Sequence, residues 1–239
     1  MGRPVPSGND ADEWRLWLVE NAEAGPDYLA GQIAAAIGRN AAGITPAEHF
    51  GEAATAISNV WPRITHRTKM KISPWIDLAA REVEFTPGAE PQIYHSVLGA
   101  DYVVILAVTP DGRIPLVRQY RPAVEGFTLE FPSGMIDPGE AAAATASREL
   151  LEECGLPAKT VQALGVNTSD AGRLSNRVHS FFIEAGSQIP DFEPEPGITT
   201  RFVTSSELIE AVRTGEFGAQ ANLGTLLQAV VLGHFKLPD

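Results

Sequence analysis

Three glutamates, Glu149, Glu152 and Glu153, stand at i, i+3 and i+4 in the stretch RELLEECGL. A helix turns about 100° per residue, so all three project from one face. Like charges at this spacing destabilise a helix by roughly 0.2–0.5 kcal/mol per pair, with no structural return unless a cation sits among them. Hard carboxylate oxygens suit Mg²⁺, which keeps several waters and bridges one or two carboxylates to the phosphates of a substrate. Taken alone, the three glutamates fit a solvated acidic helix face as well as a metal site.

The flanking residues decide between the two. Gly134 is followed after five residues by Glu140, and after seven more by Arg148 and the three glutamates, ending in Gly155 and Leu156. This arrangement resembles, at every defined position, the signature box of the Nudix hydrolases. The resemblance implies an α/β/α sandwich around a mixed sheet, hence an α+β fold, and attack of water on a diphosphate joined to some group X. It implies Glu149 and Glu153 as the main metal ligands, Glu152 as a further ligand with a catalytic part, and the Ser133 carbonyl as a backbone ligand. Mg²⁺ is the expected ion, with Mn²⁺ as a substitute. Arg148 and Glu140 match a pair that supports the loop and helix, with Glu140 near the metal or its water. Gly134 matches a position where backbone must approach phosphate and metal closely, which a side chain would prevent.

The stretch LVRQYRPAVEGFTLEFPSG is similar to the ADP-ribose and ADP-sugar pyrophosphatase branch of that family. There Arg121 matches an arginine on the substrate diphosphate, suited to planar phosphate recognition, and Glu130 a residue near the pocket. Glu193 and Glu195, in DFEPEPG, are candidates for the glutamate that acts on the attacking water, and the sequence does not choose between them. Trp75 and Tyr94 match places where the branch carries aromatic rings that stack on adenine. The resemblance thus implies hydrolysis of ADP-ribose or a related nucleoside diphosphate sugar to a nucleoside monophosphate and a sugar phosphate. A UDP- or GDP-sugar substrate, a broad nucleoside diphosphate-X range, and a non-catalytic ligand-sensing domain are the alternatives.

The elements that must position these residues are legible from periodicity. Residues 1–60 are alanine-rich and read as a helical N-terminal extension, with Trp14, Trp17 and Leu18 on one face. That segment holds three arginines, no lysine and eight acidic residues, a poor surface for DNA. Residues 61–98 carry strand-like alternation in WIDLAAREVEF and PQIYHSVL. The resemblance implies that this β-hairpin segment forms a homodimer and completes the partner's site, and it assigns 99–239 to the Nudix hydrolase domain. Within that domain DYVVILAVT and RIPLVRQYR read as strands joined by a TPDG hairpin turn, in a mostly antiparallel sheet. GEAAAATASRELLEEC reads as a helix stopped by Gly155. Strands are expected at VQALGV and RVHSFFIEA, and TSDAGRLSN between them reads as a turn. SSELIEAVRTGEF and ANLGTLLQAVVLGHF read as closing helices, the first capped by Ser205 or Ser206.

Composition narrows the function classes. A net charge of −12 over 239 residues speaks against a nucleic-acid backbone as partner, and the basic stretch RITHRTKMK is expected as a solvated linker or strand edge. Cys154 is the single cysteine, which excludes an intrachain disulfide and a cysteine-rich zinc site and reads as a small buried helix residue. No apolar run reaches the roughly 18 residues of a membrane span, and no basic-then-apolar leader opens the chain. The expected compartment is the cytoplasm.

Overall fold

The computed structural model describes residues 61–238, so the readings on residues 1–60 lie outside the described residues. The chain divides into two compact units, one ending at Gly99 and including Asp170–Ser175, the other made of Ala100–Ser169 and the chain from Asn176.

The first unit is a three-stranded antiparallel sheet in the order β1-β2-β3, with β1 at Arg63–Lys71, β2 at Ile76–Glu84 and β3 at Gln92–Gly99. The basic stretch is therefore the edge strand β1, a position where charged residues discourage pairing with other chains, and Lys69 pairs with Asp77 of β2 at 2.9 Å. The segment is a three-stranded sheet because this stretch joins the hairpin read from the sequence. The Ser73 hydroxyl accepts the N–H groups of Trp75 and Ile76 at 3.2 and 3.1 Å, turning the chain into β2. Segment 170–175 closes on β3, with the Val97 N–H donating to the Arg173 carbonyl at 2.8 Å and the Ser175 N–H to the Val97 carbonyl at 3.0 Å. Trp75 and Tyr94 are 64% and 47% exposed, and Tyr94 meets Phe85 edge to face at 5.9 Å. Tyr94 lies opposite Arg81, and the strand that carries Arg81 begins at Ile76, just after Trp75. At about 3.3 Å per residue the backbone positions of Trp75 and Tyr94 are about 20 Å apart along the sheet.

The second unit is built around β4 (Tyr102–Val108), which runs parallel to β9 (Arg177–Ala185) in a four-stranded sheet of order β7-β4-β9-β8. β7 spans Ser133–Met135 and β8 Ala158–Thr168, both antiparallel to their neighbours. A second sheet has the order β10-β5-β6, from Ile198–Val203, Ile114–Arg121 and Gly126–Glu130. Side chains alternate across a strand, and β4 uses both faces. Val103, Ile105 and Ala107 pack with Ala146, Leu150 and Cys154 of helix α1 (Ala142–Cys154). Val104 and Leu106 pack with Leu208 and Ala211 of α2 (Ser205–Thr214) and with Leu226 and Ala229 of α3 (Gln220–Val231). Helices thus cover both faces of a mixed sheet, the expected α+β sandwich.

Two local expectations are corrected. The TPDG turn does close, with Gly112 at φ 78° and the Thr109 N–H donating to the Arg113 carbonyl at 2.9 Å. The strands it joins then part into different sheets, because β4 is flanked by β7 and β9. The cap of α2 is Thr204, not Ser205 or Ser206. Its hydroxyl accepts the Glu207 N–H at 3.2 Å, while the Glu207 carboxylate accepts the Thr204 N–H at 2.7 Å, a reciprocal capping box. Thr204→Ala is expected to destabilise the chain by about 1 kcal/mol, lowering the thermal midpoint by about 2–4 °C with catalytic rate unchanged, as read by calorimetry. Gly155 terminates α1 in the left-handed conformation at φ 66°, as its position predicts. Among the described residues no helix is long and apolar enough to cross a membrane.

Candidate active site

All the box residues belong to α1 and to the segment leading into it. β7 is held against β4, Ser133 opposite Val104 and Gly134 opposite Val103, which lays residues 133–135 alongside α1. A Cβ on Gly134 would overlap the Glu149 carboxyl. Any side chain there would push the Glu149 carboxyl aside, and the glycine lies in a short strand and not in a loop. The Ser133 N–H donates to Glu153 Oε2 at 2.9 Å, so the backbone of the same segment already holds a second glutamate.

Arg148 organises the outer carboxylates. It donates to both oxygens of Glu140 at 3.1 and 3.0 Å, and its Nη1 donates to Glu149 at 2.8 Å and to Glu152 at 2.9 Å. These bonds hold the Glu140 carboxyl down at about 2 and push the guanidinium further up. Glu149 and Glu153 behave oppositely. Burial raises Glu149, Arg148 offsets this in part, and the charges of Glu152 and Glu195 raise it again. Burial also raises Glu153, to about 8, against the Ser133 N–H and with a further push from Glu149. A buried and a half-buried carboxylate, both raised above their ordinary range, mark a place that would take further positive charge. Among the described residues no three acidic groups already converge on one point, since Arg148 draws Glu149 and Glu152 to itself. Mg²⁺ needs only one or two protein carboxylates, with water filling the rest of its shell. Glu149 and Glu153 fit that requirement.

A cleft of about 310 Å³ opens beside Ser133, Gly134 and Met135, walled by Tyr102, Arg121, Glu130 and Asn222. Arg121 forms a bidentate pair with Glu130 at 3.0 and 2.6 Å, and the Thr128 hydroxyl donates to Glu130 at 2.6 Å. Burial works against the Glu130 charge, yet the bonds from Arg121 and Thr128 outweigh it and keep the carboxyl below its ordinary value. The guanidinium is aimed by its partner while its side chain remains 42% exposed.

The structure thus brings together Glu140, Arg148, Glu149, Glu152 and Glu153 with Ser133 and Gly134, and places Arg121 and Glu130 in the adjoining cleft. Glu195 acts on Glu149 from the exposed loop before β10, in which Glu193 is exposed as well. Trp75 and Tyr94 belong to the other unit. Cys154 is fully buried, its thiol pushed up by desolvation, so it is a core residue, as expected. Sequence reasoning missed Tyr102, Thr128 and Asn222. Asn222 left a signal, a polar residue in helical phase with Leu226 and Ala229 on the core face of α3.

The NUDIX domain family model matches residues 100–220, just over half of the chain and all of the site except the α3 wall at Ala221 and Asn222. The chain belongs to the Nudix hydrolase family. Among its relatives, the ADP-ribose pyrophosphatase of Bacillus subtilis is 30% identical over 144 residues, covering 59% of this chain and 77% of that one. The ADP-ribose pyrophosphatase of Mycobacterium tuberculosis is 46% identical over a shorter 63 residues, 26% of this chain and 30% of that one. A solved ADP compounds hydrolase matches with a TM-score of 0.61 at 21% identity, over 72% of this chain and 94% of that chain. At that identity the likeness is one of fold, and the Nudix sandwich is what the two share.

Proposed function

We propose that this Nudix hydrolase cleaves, with Mg²⁺, the diphosphate of ADP-ribose or a related nucleoside diphosphate sugar, giving AMP or its counterpart and a sugar phosphate. The observation that carries the reading is the buried Glu153 and the half-buried Glu149, one turn apart on α1 and both raised above the ordinary carboxylate range, next to a cleft in which Arg121 is held by Glu130. The names of the Bacillus and Mycobacterium relatives support the choice of substrate. Mn²⁺ would substitute on the same oxygen ligands.

In this reading the bound ion supplies charge for the diphosphate oxygens and acidity for water. Glu149 and Glu153 would hold it, with Glu152 and the Ser133 carbonyl as further ligands. Arg148 and Glu140 keep α1 and the preceding strand in register, and Gly134 leaves the space in which Glu149 lies. Arg121 orients the diphosphate. Glu195 takes the proton from the attacking water as oxygen bonds to phosphorus and the anhydride bond breaks, because its charge reaches Glu149. Glu195→Gln is expected to lower kcat by about a hundredfold or more, within the range of general base catalysis, with KM little changed. Glu193→Gln stays close to wild type. The opposite ranking in steady-state kinetics would move the base to Glu193.

In this reading the chain is a homodimer in which Trp75 and Tyr94 stack on the base. The deciding experiment is AMP or NMP release from ADP-ribose, ADP-glucose, UDP-glucose, GDP-mannose and NADH with Mg²⁺. A tenfold preference in kcat/KM corresponds to about 1.4 kcal/mol of differential transition-state binding. No release from any of the five would overturn the reading.

A further inference from the structure

One wall of the cleft is the first turn of α3, through Ala219, Ala221 and Asn222. Asn222 is 97% buried, since only 3% of it is exposed, and its Oδ1 accepts the Phe131 N–H at 2.8 Å. A backbone N–H can only donate, so the amide orientation is fixed and Nδ2 is the end left over. Nδ2 has no hydrogen-bond partner among the described residues. That donor is open to the cleft that Asn222 lines, so it can donate to whatever enters there.

The helix start offers further donors independently. Ala219 caps α3 with no side-chain hydrogen bond. The amides of Asn222 and Leu223 donate to the Ala219 carbonyl at 3.0 and 3.1 Å, whereas those of Gln220 and Ala221 have no partner among the described residues. Free first-turn amides and the positive end of the helix dipole favour an anion. With Arg121 on the same cleft, the surface offers donors, while the one carboxylate there, Glu130, is already engaged by Arg121 and Thr128.

We infer that Asn222 Nδ2 and the free amides at the start of α3 form a metal-independent oxyanion site, which takes a phosphoryl oxygen of the substrate diphosphate. The inference rests on the diphosphate reading above and adds to it a second phosphate contact on α3, apart from the carboxylates of α1. Asn222 is a substrate-binding residue in this arrangement.

Two variants test it in the full-length chain with EDTA present, using inorganic pyrophosphate as the probe in a calorimetric titration. Asn222→Asp keeps the acceptor for Phe131 but turns the cleft-facing donor into a carboxylate oxygen. It should weaken pyrophosphate binding by at least about tenfold. Gln220→Pro removes one free amide at the first helical position, where proline is tolerated, and Ala219 at φ −68°, ψ 127° already has the extended backbone that proline requires before it. It should weaken binding several-fold with an unchanged thermal midpoint. If Asn222→Asp lowers the midpoint, the proline variant decides. Wild-type affinity in both variants, or no pyrophosphate binding by the unaltered chain, overturns the site. Because no metal or turnover enters this titration, a chain inactive on every nucleotide sugar would refute the proposed function and leave this result standing. An active chain whose two variants bind normally would lose only the α3 site.

Discussion

Glu153→Gln is expected to reduce kcat/KM with Mg²⁺ by at least about a hundredfold, the scale on which a lost metal contact is felt, while leaving the chain folded. The substitution is nearly isosteric, and an amide oxygen can still accept the Ser133 N–H. Its effect on stability has a definite sign. In the metal-free protein the Glu153 carboxyl titrates at about 8, raised from 4.5 chiefly by burial. Between those two values the folded state holds a proton that the unfolded state has released, so stability falls as pH rises through that window. At pH 5 the carboxyl is neutral when folded and costs little. At pH 8.5 it must ionise in a buried setting, at a cost on the order of a few kcal/mol. In EDTA, Glu153→Gln should therefore match wild type at pH 5 in thermal unfolding and exceed it at pH 8.5. Equal midpoints at both values would place the site's missing charge elsewhere, and full activity with Mg²⁺ would remove Glu153 from the metal site.

Gly134→Ala is expected to be as damaging to activity by a different route. Residue 134 pairs with Val103 in an ordinary ladder, so the substitution brings little backbone strain. What it brings is a methyl group where the Glu149 carboxyl now lies. Glu149 has to swing away, and a displacement of about 1 Å in such a site costs on the order of a hundredfold in rate. The expected signature is a large fall in kcat with a nearly unchanged thermal midpoint and a higher Mg²⁺ requirement. A wild-type rate would show that Glu149 can work from another rotamer.

The site was most legible where local spacing alone fixes the geometry. Helical phase put Glu149, Glu152 and Glu153 on one face of α1, and Gly155 stopped that helix where a left-handed residue was needed. What was not legible depends on choices between near-equal neighbours or on distant partners. Three successive hydroxyl residues, Thr204, Ser205 and Ser206, offer the same capping chemistry. Only the backbone path, with Glu207 reaching back, selects the first. The turn at Thr109–Gly112 is a sound local prediction, yet its strands part because β4 is flanked by β7 and β9. Asn222 was hidden because its partner, the Phe131 N–H, lies 91 residues away in the chain. Glu193 and Glu195 likewise carry no local signal that ranks them, since both are exposed acids in one loop.

The double use of β4 has a consequence for how such an enzyme could be retuned. Val103 and Ile105 support α1, while Val104 and Leu106 support the packing beneath α3, so this strand acts as a spacer between the carboxylate helix and the helix that bears Asn222. Interiors are close-packed, and a change of even one methylene is transmitted to the neighbours. Trimming or enlarging the odd-numbered residues shifts one jaw, and altering the even-numbered ones shifts the other. The bite of the cleft can thus be reset from the apolar centre of the sheet, with every polar residue that lines it left in place.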